Sequence, residues 1–385
     1  MASVLPNPVL KHAAGLVPGA HAMWPANALG LDFVAAAAVL PKAALPTGAT
    51  GIIDVHSHIQ GAEAAVIYAR VRELFGITLT YSMTQISHAA AVRTVLGDSI
   101  RFMAIPSFSD DDKRHAHTTG YLSTIERFHT EFGSRMMKVW ASPRLRDFVP
   151  GGATDLADID SPFRREHCAL AQKLGMMYMV HVADPDTWFA AKYYDGAAYG
   201  TKAHQYIGLR RMLDLFPAPW VGAHMGGWPE DLAFLDMMLT EHPNFHIDTS
   251  ATKWIVRELS RHSKAEVVGF LTKWSGRVLF GSDLVVMDDQ LSSSKPTGSV
   301  MGELASSPEQ AFELYASRYL ALRLMFETDY DGPSPIADPD LAMVAPAQYD
   351  NMSCPHLRGL SLPPDVQREL YYSAADRLMN AWFDK

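Results

Sequence analysis

From Gly51 onward the chain alternates short apolar runs with longer stretches of mixed polarity. The runs are Gly51–Val55, Ile77–Tyr81, Arg101–Ile105, Met136–Trp140, Met176–Val182, Trp220–Ala223, Phe245–Asp248 and Val278–Phe280. Each has the length of a buried strand. Between them lie helix-like stretches, among them Ala62–Phe75, Ser161–Leu174, Lys202–Leu215 and Trp228–Leu239. Eight strand–helix alternations predict an α/β fold of the (β/α)8 TIM-barrel kind, with parallel strands inside and helices outside. An open doubly wound sheet does not need eight units, and no glycine-rich phosphate turn follows the first run.

The flanks read differently. Residues 1–48 are proline-rich and carry little periodicity, which predicts an irregular N-terminal arm packed on the barrel. Residues 49–385 are expected to form the barrel together with its C-terminal helical extension. Two connections, Ala141–Asp160 and Asp283–Pro308, are long and rich in Gly, Pro and polar residues. Both follow strands, so both belong at the C-terminal face, where barrel enzymes keep their active sites. They are expected to act as lids or substrate loops. Glu327–Leu362 reads as irregular and Pro363–Trp382 as a closing helix.

Composition narrows the function. With 48% hydrophobic and 19% charged residues the chain is globular, not disordered. A net charge of −9 argues against a nucleic-acid partner, which needs a basic face. No run approaches the roughly 18 apolar residues of a membrane span. The first ten residues carry no positive cluster, and the apolar stretch Val34–Leu45 is broken by Pro41 and Lys42, so no signal peptide is expected. Cys168 and Cys354 form no C-x-x-C pair, which suits a reducing compartment. The expectation is a cytoplasmic protein acting on a small molecule.

The chemistry sits where strands end. The first run closes in Asp54-Val55-His56-Ser57-His58. Alternate strand residues face the same way, so His56 and His58 form a ready chelate for a divalent metal. Alone the pattern is weak. Sixteen histidines give about one such pair by chance, and His115-Ala116-His117 repeats it after a polar run, where a solvated loop or helix start is expected. Recurrence is the stronger signal. The fifth run carries His181 at its end, His224 directly follows the sixth, and the eighth runs on to Asp283. Parallel strands bring such residues together at one mouth. Gly222 and Gly281, two residues before His224 and Asp283, are expected to leave room beneath a metal.

In this respect the chain resembles the amidohydrolase superfamily, and more narrowly its family 2 branch of metal-dependent hydrolases and non-oxidative decarboxylases. The resemblance rests on Asp54-x-His56-x-His58, on His181-Val182-Ala183-Asp184-Pro185-Asp186-Thr187-Trp188-Phe189, on Gly222-Ala223-His224-Met225-Gly226-Gly227-Trp228-Pro229-Glu230-Asp231 and on Leu279-Phe280-Gly281-Ser282-Asp283. It implies that His56, His58, His181 and Asp283 bind one metal, with His224 as an acid/base residue beside it. Lys138 faces the same way as Met136 and Trp140 on the fourth run. It is either ion-paired or, if the site is binuclear, a carbamylated bridge between two ions. Family members are often oligomeric, so a homo-oligomer is compatible with the resemblance.

Tyr81, Arg144, Arg146, Trp188, Trp228, Lys253, Trp254 and Arg257 fall in or near loops after strands. Of these Arg144, Trp188, Trp228 and Arg257 are the candidates for substrate contact. No G-x-S-x-G elbow and no phosphate loop is present. The leading expectation is hydrolysis of a lactone, ester or amide of a small carboxylated molecule. A divalent ion, most simply Zn²⁺, would activate water, Asp283 would take its proton, and His224 would stabilise the oxyanion or act as general acid. The alternatives are a metal-dependent decarboxylase of a small carboxylic acid and a barrel that binds metal or ligand without turnover.

Overall fold

The computed structural model describes residues 21–149, 155–293 and 300–385. The start of the expected N-terminal arm and parts of both long connections lie outside the described residues. Strands β1 (Ile52–Ile59), β2 (Ile77–Ser82) and β3 (Ile100–Phe102) pair in parallel in that order. So do β4 (Met136–Trp140), β5 (Met177–His181), β6 (Trp220–Gly222), β7 (Phe245–Asp248) and β8 (Val278–Leu279). Two seams join these arcs. Ala104, just past β3, receives Lys138 N at 2.8 Å and donates to Met136 O at 2.9 Å. On the other side Val55 N donates to Phe280 O at 2.9 Å and Asp283 N to His56 O at 2.8 Å. The result is a closed parallel (β/α)8 barrel, as the alternation predicts.

The expected substrate loop after the eighth strand begins otherwise. Leu284–Val286 forms β9, a continuation of β8 that pairs with β1 at Ser57, His58 and Ile59. This segment belongs to the wall and is not a lid.

Alternation fills the barrel. Ile53, Val55, Tyr81, Met136, Met177, Met179, Val221 and Leu279 form one buried interior cluster. Removing side chains of this kind from water stabilises by about 1.5–3 kcal/mol each. Ala374, Ala375 and Met379 join the cluster from the C-terminal helical run 364–383. That run lies across the N-terminal strand ends, where Asp384 pairs with Arg101 at 2.8 Å and Trp382 Nε1 donates to Gly175 O at 2.7 Å. The opposite end stays open for chemistry.

The described part of the N-terminal segment carries a helix, Phe33–Val39, whose cap Asp32 accepts from Val34 N and Ala35 N at 3.0 Å. Trp24 Nε1 ties this segment to Glu313 of the helix Pro308–Glu327. Glu327–Leu362 is less irregular than expected. It holds an antiparallel pair, β10 (Asp331–Pro333) with β11 (His356–Arg358), and a short helix, Pro339–Val344, capped by Asp338. Among the described residues no helix is long and apolar enough to cross a membrane.

Candidate metal centre

Strict alternation does not by itself bring both His56 and His58 to the barrel mouth. Ile53 and Val55 point into the barrel, so an uninterrupted strand would turn His56 outward. The pairing of β1 with β2 shifts register between Asp54 and Ser57, and the irregularity resets the faces. Asp54 anchors it: the buried carboxylate accepts from His56 N at 3.0 Å, Ser282 Oγ at 2.6 Å and Tyr319 Oη at 2.8 Å. Two other residues reach the mouth through left-handed backbone, His224 at φ 59° and Asp283 at φ 55°. Such conformations are uncommon away from glycine and cluster at functional sites.

At the mouth Asp283 Oδ1 lies 3.3 Å from His56 Nε2 and 3.2 Å from His58 Nε2. Ligand arms of about 2.0–2.1 Å around a tetrahedral ion put neighbouring donors about 3.3 Å apart, so these three side chains fit a metal. His58 and Asp283 keep 27% and 28% of their side-chain surface exposed, so the donor group opens outward. His56 is oriented from behind, its Nδ1 meeting Asp248 Oδ2 at 2.8 Å. A carboxylate there fixes the proton on Nδ1 and leaves Nε2 as the donor.

His224 packs between two other imidazoles, its ring 5.0 Å from His56 and 4.6 Å from His181. Its Nδ1 lies 2.8 Å from Ser250 Oγ, which also bonds Asp248 Oδ1. Asp248 Oδ1 further accepts from His224 N and Ser250 N. His56, His224 and Asp248 also bring donor atoms together, but Asp248 Oδ1 already accepts three hydrogen bonds and Oδ2 already meets His56 Nδ1. His181 stands beside His224, outside the His56–His58–Asp283 donor group. Its Nε2 meets Asp184 at 2.8 Å, leaving Nδ1 as its possible donor, and Asp184 is held in turn by Ser142 and Tyr193.

Charges follow from these contacts. Burial alone would raise Asp283, but hydrogen bonds from His56 and His58 hold it well below the usual carboxylate range. Burial and the Lys138 charge lower His56; Asp248 and Asp283 outweigh them and raise it. Burial and then the His181 charge push His224 well below its ordinary value, so it is neutral. Asp248 would be raised by burial, yet His56 brings it down to about 2.

Sequence reasoning missed Asp248, Ser250 and the holding role of Asp184. Asp248 was detectable, since the seventh run ends in an acid just where other runs end in ligand candidates.

Other candidates fall elsewhere. Lys138 is 6% exposed and is lowered to about 8 by burial, with Asp248 and Asp283 acting against that shift. Arg257 is not available to a substrate: it is buried, pairs with Asp338, meets Glu258 at 2.5 Å and bonds Thr187 at 3.1 Å. Trp228 is a packing residue, stacked on Tyr206 at 5.4 Å and against Phe234 at 4.6 Å. Trp188 donates to Asp340 at 2.7 Å, and Lys192 covers its ring at 3.4 Å. Arg144 is exposed, its guanidinium 6.0 Å from the Trp188 ring. Trp254 stands edge-on to His224 at 5.5 Å, nearer the cluster than the other tryptophans singled out. Tyr81 points to the opposite end, bonding Asn380 at 2.7 Å.

The glycines do not make space for an ion. A Cβ on Gly281 would lie 2.9 Å from His56 Cβ, and one on Gly222 2.6 Å from the Phe245 ring. They admit neighbouring side chains. The second His-x-His pair also departs from expectation. It does sit in a short helix, Lys113–His117, with His115 exposed, but His117 is buried.

With this geometry in hand, comparison decides the family. The family model described as Amidohydrolase matches residues 53–296, which spans β1 through Asp283. The chain belongs to the amidohydrolase family. Membership places it among enzymes of metal-dependent, amidohydrolase-type chemistry. No curated protein matches the chain. Among solved structures it is similar to an uncharacterized TIM-barrel protein from Bordetella bronchiseptica (12% identity, 87% of this chain and 99% of that one, TM-score 0.46). It is also similar to 5-carboxyvanillate decarboxylase from Novosphingobium aromaticivorans, complexed with manganese and 4-hydroxy-3-methoxy-5-nitrobenzoic acid (12%, 90% and 100%, 0.44). A third is a probable 2-pyrone-4,6-dicarboxylic acid hydrolase from Acinetobacter baumannii with citric acid bound (10%, 76% and 98%, 0.39). These likenesses are of fold alone.

Proposed function

We propose that this amidohydrolase is a hydrolase that cleaves a C–O or C–N bond, in a lactone, ester or amide, of a small carboxylated substrate. One divalent ion, most simply Zn²⁺, is held by His56, His58, His181 and Asp283. The observation that carries this reading is the spacing of Asp283 Oδ1 from both imidazoles, 3.3 and 3.2 Å. The hydrogen bonds that Asp248 already makes to His56, His224 and Ser250 favour one ion over two. Lys138 becomes a ligand, as a carbamate, only in a binuclear site.

When bound, the ion supplies Lewis acidity and acidifies water. The chain's own residues manage the protons. Asp248 is ionised and only accepts, so Ser250 O–H donates to it and Ser250 Oγ accepts from His224 Nδ1–H. His224 is thereby left with a free lone pair on Nε2, fit to take up a proton and return it to the leaving group. Asp283, ionised at the open edge, takes the proton from the attacking water and passes it by way of His224 Nε2 to the leaving group. Arg144, exposed beside Trp188, is the side chain that meets the substrate carboxylate.

The test is His224→Asn. Metal content per chain stays unchanged and turnover of carboxylated lactones, esters or amides falls about 10²–10⁴-fold. Unaltered turnover removes His224 from the mechanism. Release of CO2 in place of a ring-opened or cleaved acid overturns hydrolysis in favour of decarboxylation at the same residues. Absence of turnover with any of these substrates, with metal retained, leaves a binding barrel.

A further inference from the structure

On the outer side of β4, between the helices Thr119–Phe132 and Pro162–Lys173, three basic side chains are buried together without a carboxylate. Arg164 is 1% exposed. Its Nη2 donates to Trp140 O at 2.7 Å, while Nε and Nη1 have no partner. His117 and His167 are both 0% exposed. Neither ring nitrogen of His117 is partnered. His167 donates from Nε2 to Thr118 O at 2.7 Å and leaves Nδ1 without a partner. The rings of Phe108, Phe148 and Trp140 wall His117 at 5.2, 5.5 and 6.2 Å.

A buried guanidinium demands a counter-charge, because an isolated ion is far costlier to desolvate than a neutral polar group. The chain supplies none among the described residues. The groups whose charge would act favourably on Arg164 are Tyr121 and Cys168. Burial pushes both far above neutrality, so both stay protonated. Of the other basic groups His117 and His167 are neutral, and the nearby Lys113 only adds to the positive side. Arg164 Nε and Nη1 are fixed donors without an acceptor, and the unpartnered nitrogens of His117 and His167 are buried with them, which calls for something negative.

We propose that Arg164 and His117 bind one small monovalent anion, a halide, between them. Arg164 contributes the charge and two N–H groups, and a neutral His117 contributes one. His167, with its proton on Nε2, turns a lone pair inward and serves as wall, not ligand. The occupant ties the connection after β3, which carries Phe108 and His117, to the one after β4, which carries Phe148. The metal centre lies across β4, so occupancy is independent of metal.

Crystals of the full chain grown in bromide test this by anomalous scattering. One bromide against Arg164 Nε and Nη1 is the expected result; ordered water alone at that position overturns it. In solution, the melting temperature of the wild-type chain rises with the logarithm of chloride concentration relative to gluconate at equal ionic strength. The chloride dependence disappears in Arg164→Met, with metal content unchanged. If Arg164→Met does not fold, His117→Phe keeps the guanidinium and retains a weakened dependence. Equal chloride dependence in wild type and variants overturns the proposal.

Discussion

His56-Ser57-His58 and His115-Ala116-His117 are the same pattern in opposite surroundings. At the barrel mouth the imidazoles face carboxylates: Asp283 before His56 and His58, Asp248 behind His56, Asp184 beside His181. Outside β4, His117 faces only basic groups, and burial together with Arg164 drives it down to about 3. His167 is driven to about 4 in the same way. The difference is one of charge environment, not of residue type. Carboxylates set the tautomer and basicity that a metal ligand needs. Their absence leaves neutral rings around a lone guanidinium, an environment for an anion.

Experiments that break or sharpen this contrast differ in size. The largest effect falls on turnover. His224→Asn costs about 10²–10⁴-fold, whereas His117→Asn leaves turnover within experimental error, measured on the same substrate. The next concerns acid stability. His117 and His167 are depressed in the folded state relative to an unfolded value of about 6.5. Below that value the unfolded chain binds more protons, so stability is fully present above it and is lost as pH falls toward about 4. Each histidine contributes a slope of about 1.4 kcal/mol per pH unit in that window. Urea titrations at pH 7 and pH 5 read it, and His167→Phe reduces the slope by one proton. A smaller effect is expected at Asp248→Asn, which removes the carboxylate behind His56 and weakens metal affinity about 10–100-fold, measured by competition with a chelator. The smallest is Arg144→Ala, which raises KM about tenfold with kcat unchanged if the guanidinium holds a substrate carboxylate in an exposed charge-assisted bond.

Much of this was legible in the chain. Eight apolar runs foretell the strands, and the donor atoms of His56, His58 and Asp283 do meet, with His224 against His56 and His181 against His224. What could not be read is mostly three-dimensional compensation. The register shift after Asp54 and the left-handed backbone at His224 and Asp283 change which way a side chain points without leaving a periodic trace. Arg257 looked free because its partners, Asp338 and Asp340, arrive from a segment about eighty residues away that shows no periodicity. Gly281 looked like room for an ion because a glycine does not record which neighbour needs its space. His117 looked solvated because the polar run before it outweighs, in sequence, the aromatic walls that cover it in the fold.

Elemental analysis of the full chain and three single variants tests the central claim most directly. One divalent ion per chain is expected in the wild type and in His115→Ala, and its loss in His56→Ala and Asp283→Asn. Metal retained in both of the latter, or lost equally in His115→Ala, would contradict it.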